Sequence, residues 1–102
     1  MKIYAWMLAF TLLAVGQVPH QHHPPLSSDE YAKVLEDPSR DEWQKPQAVV
    51  TALDLKHSDT VADIGAGTGY FARRFAHHAG KVYAVDIDEK LLAMVRAKAP
   101  AN

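Results

Sequence analysis

The chain has 102 residues, of which 11 are Lys or Arg and 12 are Asp or Glu, so its formal net charge at pH 7 is −1. The hydrophobic content of 48% is ordinary for a globular protein, and the balanced charge disfavours nucleic-acid binding, which relies on basic surfaces. The absence of cysteine excludes disulfides, a thiol nucleophile and thiolate metal ligands.

The first 16 residues have the features of a signal peptide. Lys2 precedes an uncharged apolar run at residues 3–15, which is shorter than the roughly 20 residues that span a bilayer. Small residues at Ala14 and Gly16 favour cleavage before Gln17. We therefore expect export, to the periplasm in a bacterium. The alternatives are a buried N-terminal helix or an uncleaved leader, and only the latter would give the protein a membrane contact.

Residues 17–26 read QVPHQHHPPL and combine three prolines with three histidines. His20, His22 and His23 suggest a metal site. However, a proline-rich stretch has no rigid element to hold ligand geometry, so we predict a flexible linker and no metal.

A helical segment follows at residues 27–45, before a domain that begins at residue 46. Ser27 with Glu30 three residues later has the spacing of a capping box, in which side chains and backbone amides at a helix start bond reciprocally. Ser39 and Glu42 repeat this spacing. Two short helices are predicted in this segment.

Two residues at the end of the helical segment carry further predictions. Trp43 is expected to bury a large apolar surface, and Pro46 fits the first turn of a third helix.

The remaining residues alternate strand and helix patterns. Residues 61–64 and 82–85 are short apolar runs typical of buried parallel strands, and residues 70–78 between them have helical periodicity. A last helix is predicted after Asp88, which would cap it. This order predicts an α/β protein with a Rossmann-like parallel sheet and flanking helices, limited to a first βαβα unit.

A glycine turn at residues 65–69 follows the first strand, at the sheet edge where open α/β folds bind ligands. Dinucleotide-binding turns have the pattern G-x-G-x-x-G, but Tyr70 stands here where their third glycine would be. Asp63 lies two residues before Gly65, and its carboxylate would repel a pyrophosphate but attract an ammonium or sulfonium group.

Asp86 ends the second strand about 20 residues after the glycine turn, where a carboxylate can accept hydrogen bonds from both hydroxyls of a ribose. Together with Asp63 it predicts a pocket for a nucleoside that is positively charged and has no phosphate. S-adenosylmethionine has this chemistry.

The stretches VADIGAGTGYFA and YAVDID resemble the first two cofactor motifs of class I S-adenosylmethionine-dependent methyltransferases. The glycines would then line the methionine and ribose, Asp86 would bind the ribose hydroxyls, Asp63 would face the methionine amino group and Ile87 would flank the adenine. The cofactor site implied by the resemblance comprises Asp63, Gly65, Ala66, Gly67, Gly69, Tyr70, Asp86 and Ile87.

The positions of Tyr70, Trp43 and Gln44 relative to the cofactor stay open. Tyr70 either covers the cofactor or is a half-exposed aromatic residue at a helix start. The stretch RDEWQKPQAVVTAL is similar to the segment before the first strand in exported bacterial methyltransferase-like proteins. Trp43 and Gln44 would then close the cofactor pocket, or else be a core tryptophan beside a surface amide.

The resemblance implies a seven-stranded sheet whose later strands bind the methyl acceptor, whereas only the first two strands are predicted here. We therefore expect a truncated methyltransferase that is inactive by itself, with the acceptor and the catalytic residues unassigned. Export conflicts with a cofactor that is made in the cytoplasm, which keeps an exported non-enzymatic nucleoside-binding module as an alternative. An NAD-dependent oxidoreductase fragment is a weaker one.

Overall fold

The computed structural model describes residues 24–100, so the predicted leader and the three linker histidines lie outside the described residues. Residues 24–26, at the end of the predicted linker, are exposed and have no regular secondary structure. The elements are α1 (Ser28–Leu35), α2 (Arg40–Gln44), α3 (Pro46–Leu53), β1 (Thr60–Ile64), α4 (Ala72–Phe75), β2 (Lys81–Val85) and α5 (Glu89–Lys98).

The two strands pair in parallel, with Thr60 opposite Lys81 and Ile64 opposite Val85. Parallel pairing requires a crossover connection, which here contains α4. This arrangement confirms the predicted α/β class and the first βαβα unit of a Rossmann-like fold.

The prediction of buried strands is wrong, because one face of the sheet is half-buried and the other is exposed. Along each strand half-buried and exposed residues alternate, because successive side chains point to opposite sides of a sheet. Asp63 is on the half-buried side of β1, whereas Ile64 and Tyr83 are among the exposed apolar side chains. The buried core lies with the helices and includes Ala72, Phe75, Ala79 and Leu91.

Helix α4 is much shorter than the predicted helix at residues 70–78, so that prediction is wrong in extent. Gly67 and Gly69 have left-handed backbones, and regular helix begins only at Ala72. After Phe75, the His77 amide donates to the Arg74 carbonyl at 3.2 Å. This three-residue spacing is that of tight turns, so the α-helix ends here.

The capping prediction is confirmed at α1 and is wrong at α2. Ser27 Oγ accepts from the Glu30 amide at 3.3 Å, and Glu30 Oε2 accepts from the Ser27 amide at 2.9 Å. Ser39 already has a helical backbone and its hydroxyl caps nothing; its amide instead donates to Asp37 Oδ1 at 2.8 Å. The competing Asp37 carboxylate therefore takes the capping role before α2.

The burial predicted for Trp43 is wrong, since 67% of this residue is exposed. Helix α2 ends one residue later, and Lys45, in a left-handed conformation, turns the chain into α3. Pro46 is the first residue of α3, as predicted, and its side chain is buried. None of the helices in the described range is long and apolar enough to cross a membrane.

Candidate functional site

The glycine turn is held at the tips of both strands by its backbone. The Gly65 and Ala66 amides both donate to the Val85 carbonyl, at 2.8 and 3.0 Å. Gly65, Gly67 and Gly69 have φ values of 75°, 58° and 85°, which side chains with a Cβ rarely adopt. The turn therefore brings backbone close to the end of β2 without side chains between them.

Asp86 is fixed by backbone amides. Its Oδ2 accepts from the Gly67 amide at 2.8 Å and its Oδ1 accepts from the Asp88 amide at 2.9 Å. Each carboxylate oxygen has a second acceptor position, so Asp86 can still receive hydrogen bonds from a bound hydroxyl pair.

Asp63 is half-buried on the preceding strand, and its environment disfavours its charge. Burial raises the pKa of Asp63, the negative charge of Asp86 adds to this rise, and a hydrogen bond from the Ala72 backbone opposes it. Among the ion pairs of residues 24–100, none involves Asp63 or Asp86. Two carboxylates therefore face the same space without a protein cation bonded to either.

Tyr70 is buried, so its interpretation as a half-exposed aromatic residue is wrong. Its hydroxyl donates to Asp41, and the guanidinium carbons of Arg40 and Arg74 each lie 4.1 Å from the ring centroid. Burial raises the pKa of the Tyr70 hydroxyl, and the hydrogen bond to Asp41 raises it further. The phenol is thus a fixed, neutral hydrogen-bond donor.

Thr68, in the glycine turn, is 1% exposed and was not singled out by the sequence patterns. Its hydroxyl donates to Glu36, which also forms ion pairs with Arg73 at 2.8 Å and Lys98 at 3.4 Å. Burial alone raises the pKa of Glu36, but the Thr68 bond and the two cations outweigh it and leave the pKa lowered. No local sequence signal connects residues 32 positions apart.

A second bond joins the helical segment to the βαβα unit. Asp88 caps α5 as predicted, because its Oδ1 accepts from the Lys90 amide at 2.9 Å. Its Oδ2 accepts from Ser28 Oγ at 2.7 Å, which places the start of α1 against the start of α5.

These elements enclose a cavity of about 90 Å³ between the strand tips. This volume is below the roughly 300–1,000 Å³ of complete ligand pockets, so the cavity is too small to enclose a whole ligand of nucleoside size. Its lining comprises Tyr31, Leu35, Arg40, Asp63, Gly65, Ala66, Gly67, Thr68, Tyr70, Phe71 and Asp86.

The structure brings together six of the eight residues predicted for the cofactor site. Of the other two, Gly69 is buried, and a Cβ at this position would lie 3.2 Å from Val95, so it packs against α5. Ile87 is fully exposed beside Asp86. Trp43 and Gln44 do not line the cavity. Cofactor contact by the predicted residues stays a prediction.

The described residues contain no candidate metal site. Residues 24–100 contain no group of three His, Asp or Glu side chains placed to hold an ion. The linker histidines His20, His22 and His23 lie outside that range.

Comparison with known proteins finds similar methyltransferases. A family model described as "Methyltransferase domain" matches residues 61–102. A dimethyladenosine transferase from Schizosaccharomyces pombe is 43% identical over 49 residues, which is 48% of this chain and 16% of the relative. A ribosomal RNA small subunit methyltransferase A from Dehalococcoides mccartyi is 38% identical over 50 residues, covering 49% and 17%.

A longer match exists to a putative methyltransferase from Geobacillus sp. strain WCH70. It is 33% identical over 73 residues, which cover 71% of this chain and 30% of the relative. The chain thus matches less than a third of the length of each of these relatives. No solved structure matches.

A parallel βαβ unit with a left-handed glycine turn and an acidic residue at each strand tip defines an α/β domain of the kind that binds ligands at this edge of its sheet. With the matches above, the particular likeness follows: residues 61–102 match a methyltransferase-domain model, and the chain is similar to class I S-adenosylmethionine-dependent methyltransferases. The relatives are named as methyltransferases or as a dimethyladenosine transferase, which gives no support to an NAD-dependent oxidoreductase or a non-enzymatic module.

Proposed function

We propose that this chain binds S-adenosylmethionine in the cavity between the strand tips and belongs to an enzyme that transfers its methyl group. The observation that carries the proposal is the pair of unpaired carboxylates, Asp63 and Asp86, on either side of a glycine turn. Asp86 would accept the ribose hydroxyls, and Asp63 would face the ammonium group. Bound there, the cofactor supplies a methyl group activated by its sulfonium.

Asp63 is suited to a cationic group for a physical reason. Its raised pKa means that its negative charge is poorly compensated in the protein alone. A bound ammonium would compensate this charge in a half-buried position, where electrostatic attraction is stronger than in water.

Calorimetric titration of the full chain with S-adenosylmethionine, S-adenosylhomocysteine and NAD tests the proposal. We expect the first two to bind and NAD to bind at least about tenfold more weakly, because its pyrophosphate would meet two carboxylates. Circular dichroism of the same sample establishes that the chain is folded. Equal or tighter binding of NAD, or no binding of any of the three by a folded chain, would contradict the proposal.

Asp86→Ala gives the sharper test of the site. This change removes the bonds to the Gly67 and Asp88 amides as well as the proposed ribose acceptor. We expect at least a tenfold loss of S-adenosylmethionine affinity, since hydrogen bonds to charged groups contribute about 1.5–3 kcal/mol. Asp54→Asn is the control, because Asp54 is an exposed carboxylate whose ion pair is with Lys56, outside the cavity, and Asn tolerates its left-handed backbone.

The acceptor is a separate question, and two relatives named as acting on ribosomal RNA or dimethyladenosine favour an RNA base. Their names weaken the expectation that nucleic acid is disfavoured, which rested on the net charge of −1. If the acceptor binds outside residues 24–100, the net charge of this chain does not bear on whether the acceptor is a nucleic acid. Transfer of labelled methyl from the cofactor to ribosomal RNA by the longer enzyme to which this chain is proposed to belong, compared with protein and small-molecule fractions, tests this candidate.

We also propose that residues 1–16 direct export, which rests on Lys2 and the apolar run after it. A fusion of residues 1–26 to a reporter that is active only outside the cytoplasm should be active. The same fusion with a charged residue replacing Leu12 should be inactive. Activity of both fusions, or of neither, would contradict export by this segment.

A further inference from the structure

The cavity contains one side chain of opposite charge to its two carboxylates. Among the residues that line it, Arg40 is the only cation, and it comes from α2. Asp63 and Asp86 therefore share the lining of the cavity with an arginine.

Arg40 is held in position without an acidic partner among residues 24–100. Its guanidinium carbon lies 4.1 Å from the Tyr70 ring centroid and 5.9 Å from that of Trp43, and its Nη1 donates to the Leu35 carbonyl. Within residues 24–100, Arg73 and Arg74 are both in ion pairs and Arg40 is in none. A guanidinium has five N–H donors in a planar fork, so most of its donors remain after the bond to Leu35.

The proposed cofactor has a charge pattern that matches this set. Its nucleoside carries hydroxyls, its sulfur carries a positive charge, and its amino-acid tail carries an ammonium and a carboxylate on one carbon. Asp63 and Asp86 suit the ammonium and the hydroxyls, but a cavity lined only by carboxylates would repel the tail carboxylate. A planar fork that binds two oxygens at once is the protein group that best matches a carboxylate.

We infer that Arg40 binds the carboxylate of the cofactor's amino-acid tail and thereby selects for the intact tail. This inference rests on the proposed function. It also assigns a role to the helical segment at residues 27–45, which brings Arg40 onto Tyr70, the residue after the glycine turn. Stacking on Tyr70 fixes the fork before the ligand arrives, so little side-chain freedom is lost on binding.

Decarboxylated S-adenosylmethionine provides the test, because it keeps the nucleoside, sulfonium and amine and lacks only the carboxylate. We expect Arg40→Gln in the full chain to weaken S-adenosylmethionine binding by about 10- to 100-fold, the range for a lost charge-assisted bond. Binding of the decarboxylated compound should change by less than about threefold. Arg40→Lys keeps the charge without the fork and should lie between wild type and Arg40→Gln.

Arg74→Gln is the matched control. Arg74 lies at the same 4.1 Å distance from the Tyr70 ring but does not line the cavity, so its loss removes an equivalent stacking contact. We expect this variant to leave the ratio of the two affinities at its wild-type value. Thermal unfolding of each variant reports whether Arg40 is needed for folding, and Arg40→Lys supplies the comparison if Arg40→Gln does not fold.

The outcomes separate the inference from the proposed function. If wild type binds S-adenosylmethionine and Arg40→Gln weakens both ligands equally, or neither, the role of Arg40 is refuted while the cofactor site stands. If folded wild type binds neither ligand, the cofactor site itself is refuted and the inference with it.

Discussion

The βαβα unit at residues 60–98 and the helical segment at residues 27–45 reach the same cavity, but different interactions hold them in place. The unit depends on backbone bonds between parallel strands and on glycines in left-handed conformations. The segment depends on side chains, through the bonds from Ser28 to Asp88 and from Thr68 to Glu36. Backbone geometry thus builds the acidic half of the site, and side-chain contacts add Arg40 to it.

This difference means that the two regions should fail separately. A change that the backbone cannot accommodate should unfold the βαβα unit and lose the site with it. A change in the side-chain contacts should loosen the helical segment and leave the strand tips intact.

Gly80→Ala should have the largest effect, because it acts on backbone packing. A Cβ at residue 80 would lie 2.0 Å from the His57 carbonyl oxygen, and neither backbone segment is a flexible side chain that can move aside. We expect a loss of about 3 kcal/mol or more in the free energy of unfolding, measured by urea denaturation. A variant whose free energy of unfolding lies within about 1 kcal/mol of wild type would show that residue 80 does not lie this close to the His57 carbonyl oxygen.

Gly67→Ala should have the next largest effect and probes the contact between the two regions. A Cβ there would lie 2.8 Å from Leu35 Cδ1, whereas a Cβ at Gly65 would meet nothing within 4 Å. Both positions have positive φ, so each substitution should cost about 1–2 kcal/mol in backbone strain. Gly67→Ala should cost about 1 kcal/mol more, because Leu35 has to move.

The double variant Leu35→Ala/Gly67→Ala isolates the energetic cost of moving Leu35. Removing the Leu35 side chain makes room for the new Cβ, so the two changes should be coupled by about 1 kcal/mol. Leu35→Ala/Gly65→Ala is the matched cycle and should show additive effects. Equal coupling in both cycles would mean that α1 does not lie on the glycine turn as described.

Glu36→Gln should have a smaller effect that depends on pH. The pKa of Glu36 is lowered in the folded protein, so its ionised form stabilises the fold. That contribution is complete above the unfolded value of 4.5 and is lost as the pH falls through the lowered folded pKa. Wild type should therefore lose more stability than Glu36→Gln on acidification, measured as the unfolding midpoint between about pH 3 and pH 6.

Glu42→Gln is the control for this experiment, since Glu42 is exposed on α2 and makes no side-chain bond among the described residues. It should follow the wild-type pH profile. A wild-type profile parallel to that of Glu36→Gln would show that the bond to Thr68 does not hold the helical segment.

The sequence predicted the parts of the molecule that depend on local rules. Strand runs, the glycine turn, the Asp88 cap and the first capping box follow from residue types at fixed spacings, and each is present. The contribution of the helical segment could not be predicted in this way. Arg40 and Thr68 acquire their roles from contacts with residues about 30 positions away, which no spacing rule covers.

The errors have the same origin. Ser39 and Glu42 match the capping pattern, but Asp37 is a nearer acceptor and bonds to the Ser39 amide. Trp43 is the kind of residue that cores bury, yet it lies 67% exposed beside Arg40. In both cases a pattern of residue types was overridden by neighbours that only the folded chain identifies.

Asp63→Asn should have the smallest effect on stability and the opposite sign. The pKa of Asp63 is raised, so its ionised form is less stable in the folded chain than in the unfolded chain, and stability falls as the pH rises through the raised value. At pH 7 the amide should therefore raise the unfolding midpoint, by about 1–3 °C because a half-exposed charge is partly screened.

The same substitution should weaken S-adenosylmethionine binding by at least about tenfold, since it removes the charge that faces the ammonium group. Gain of stability with loss of affinity is the expected signature of a carboxylate kept for its ligand at a cost to the fold. Asp54→Asn, at an exposed position outside the cavity, should show neither change. Loss of stability on Asp63→Asn, without loss of affinity, would instead make this carboxylate a part of the βαβα framework.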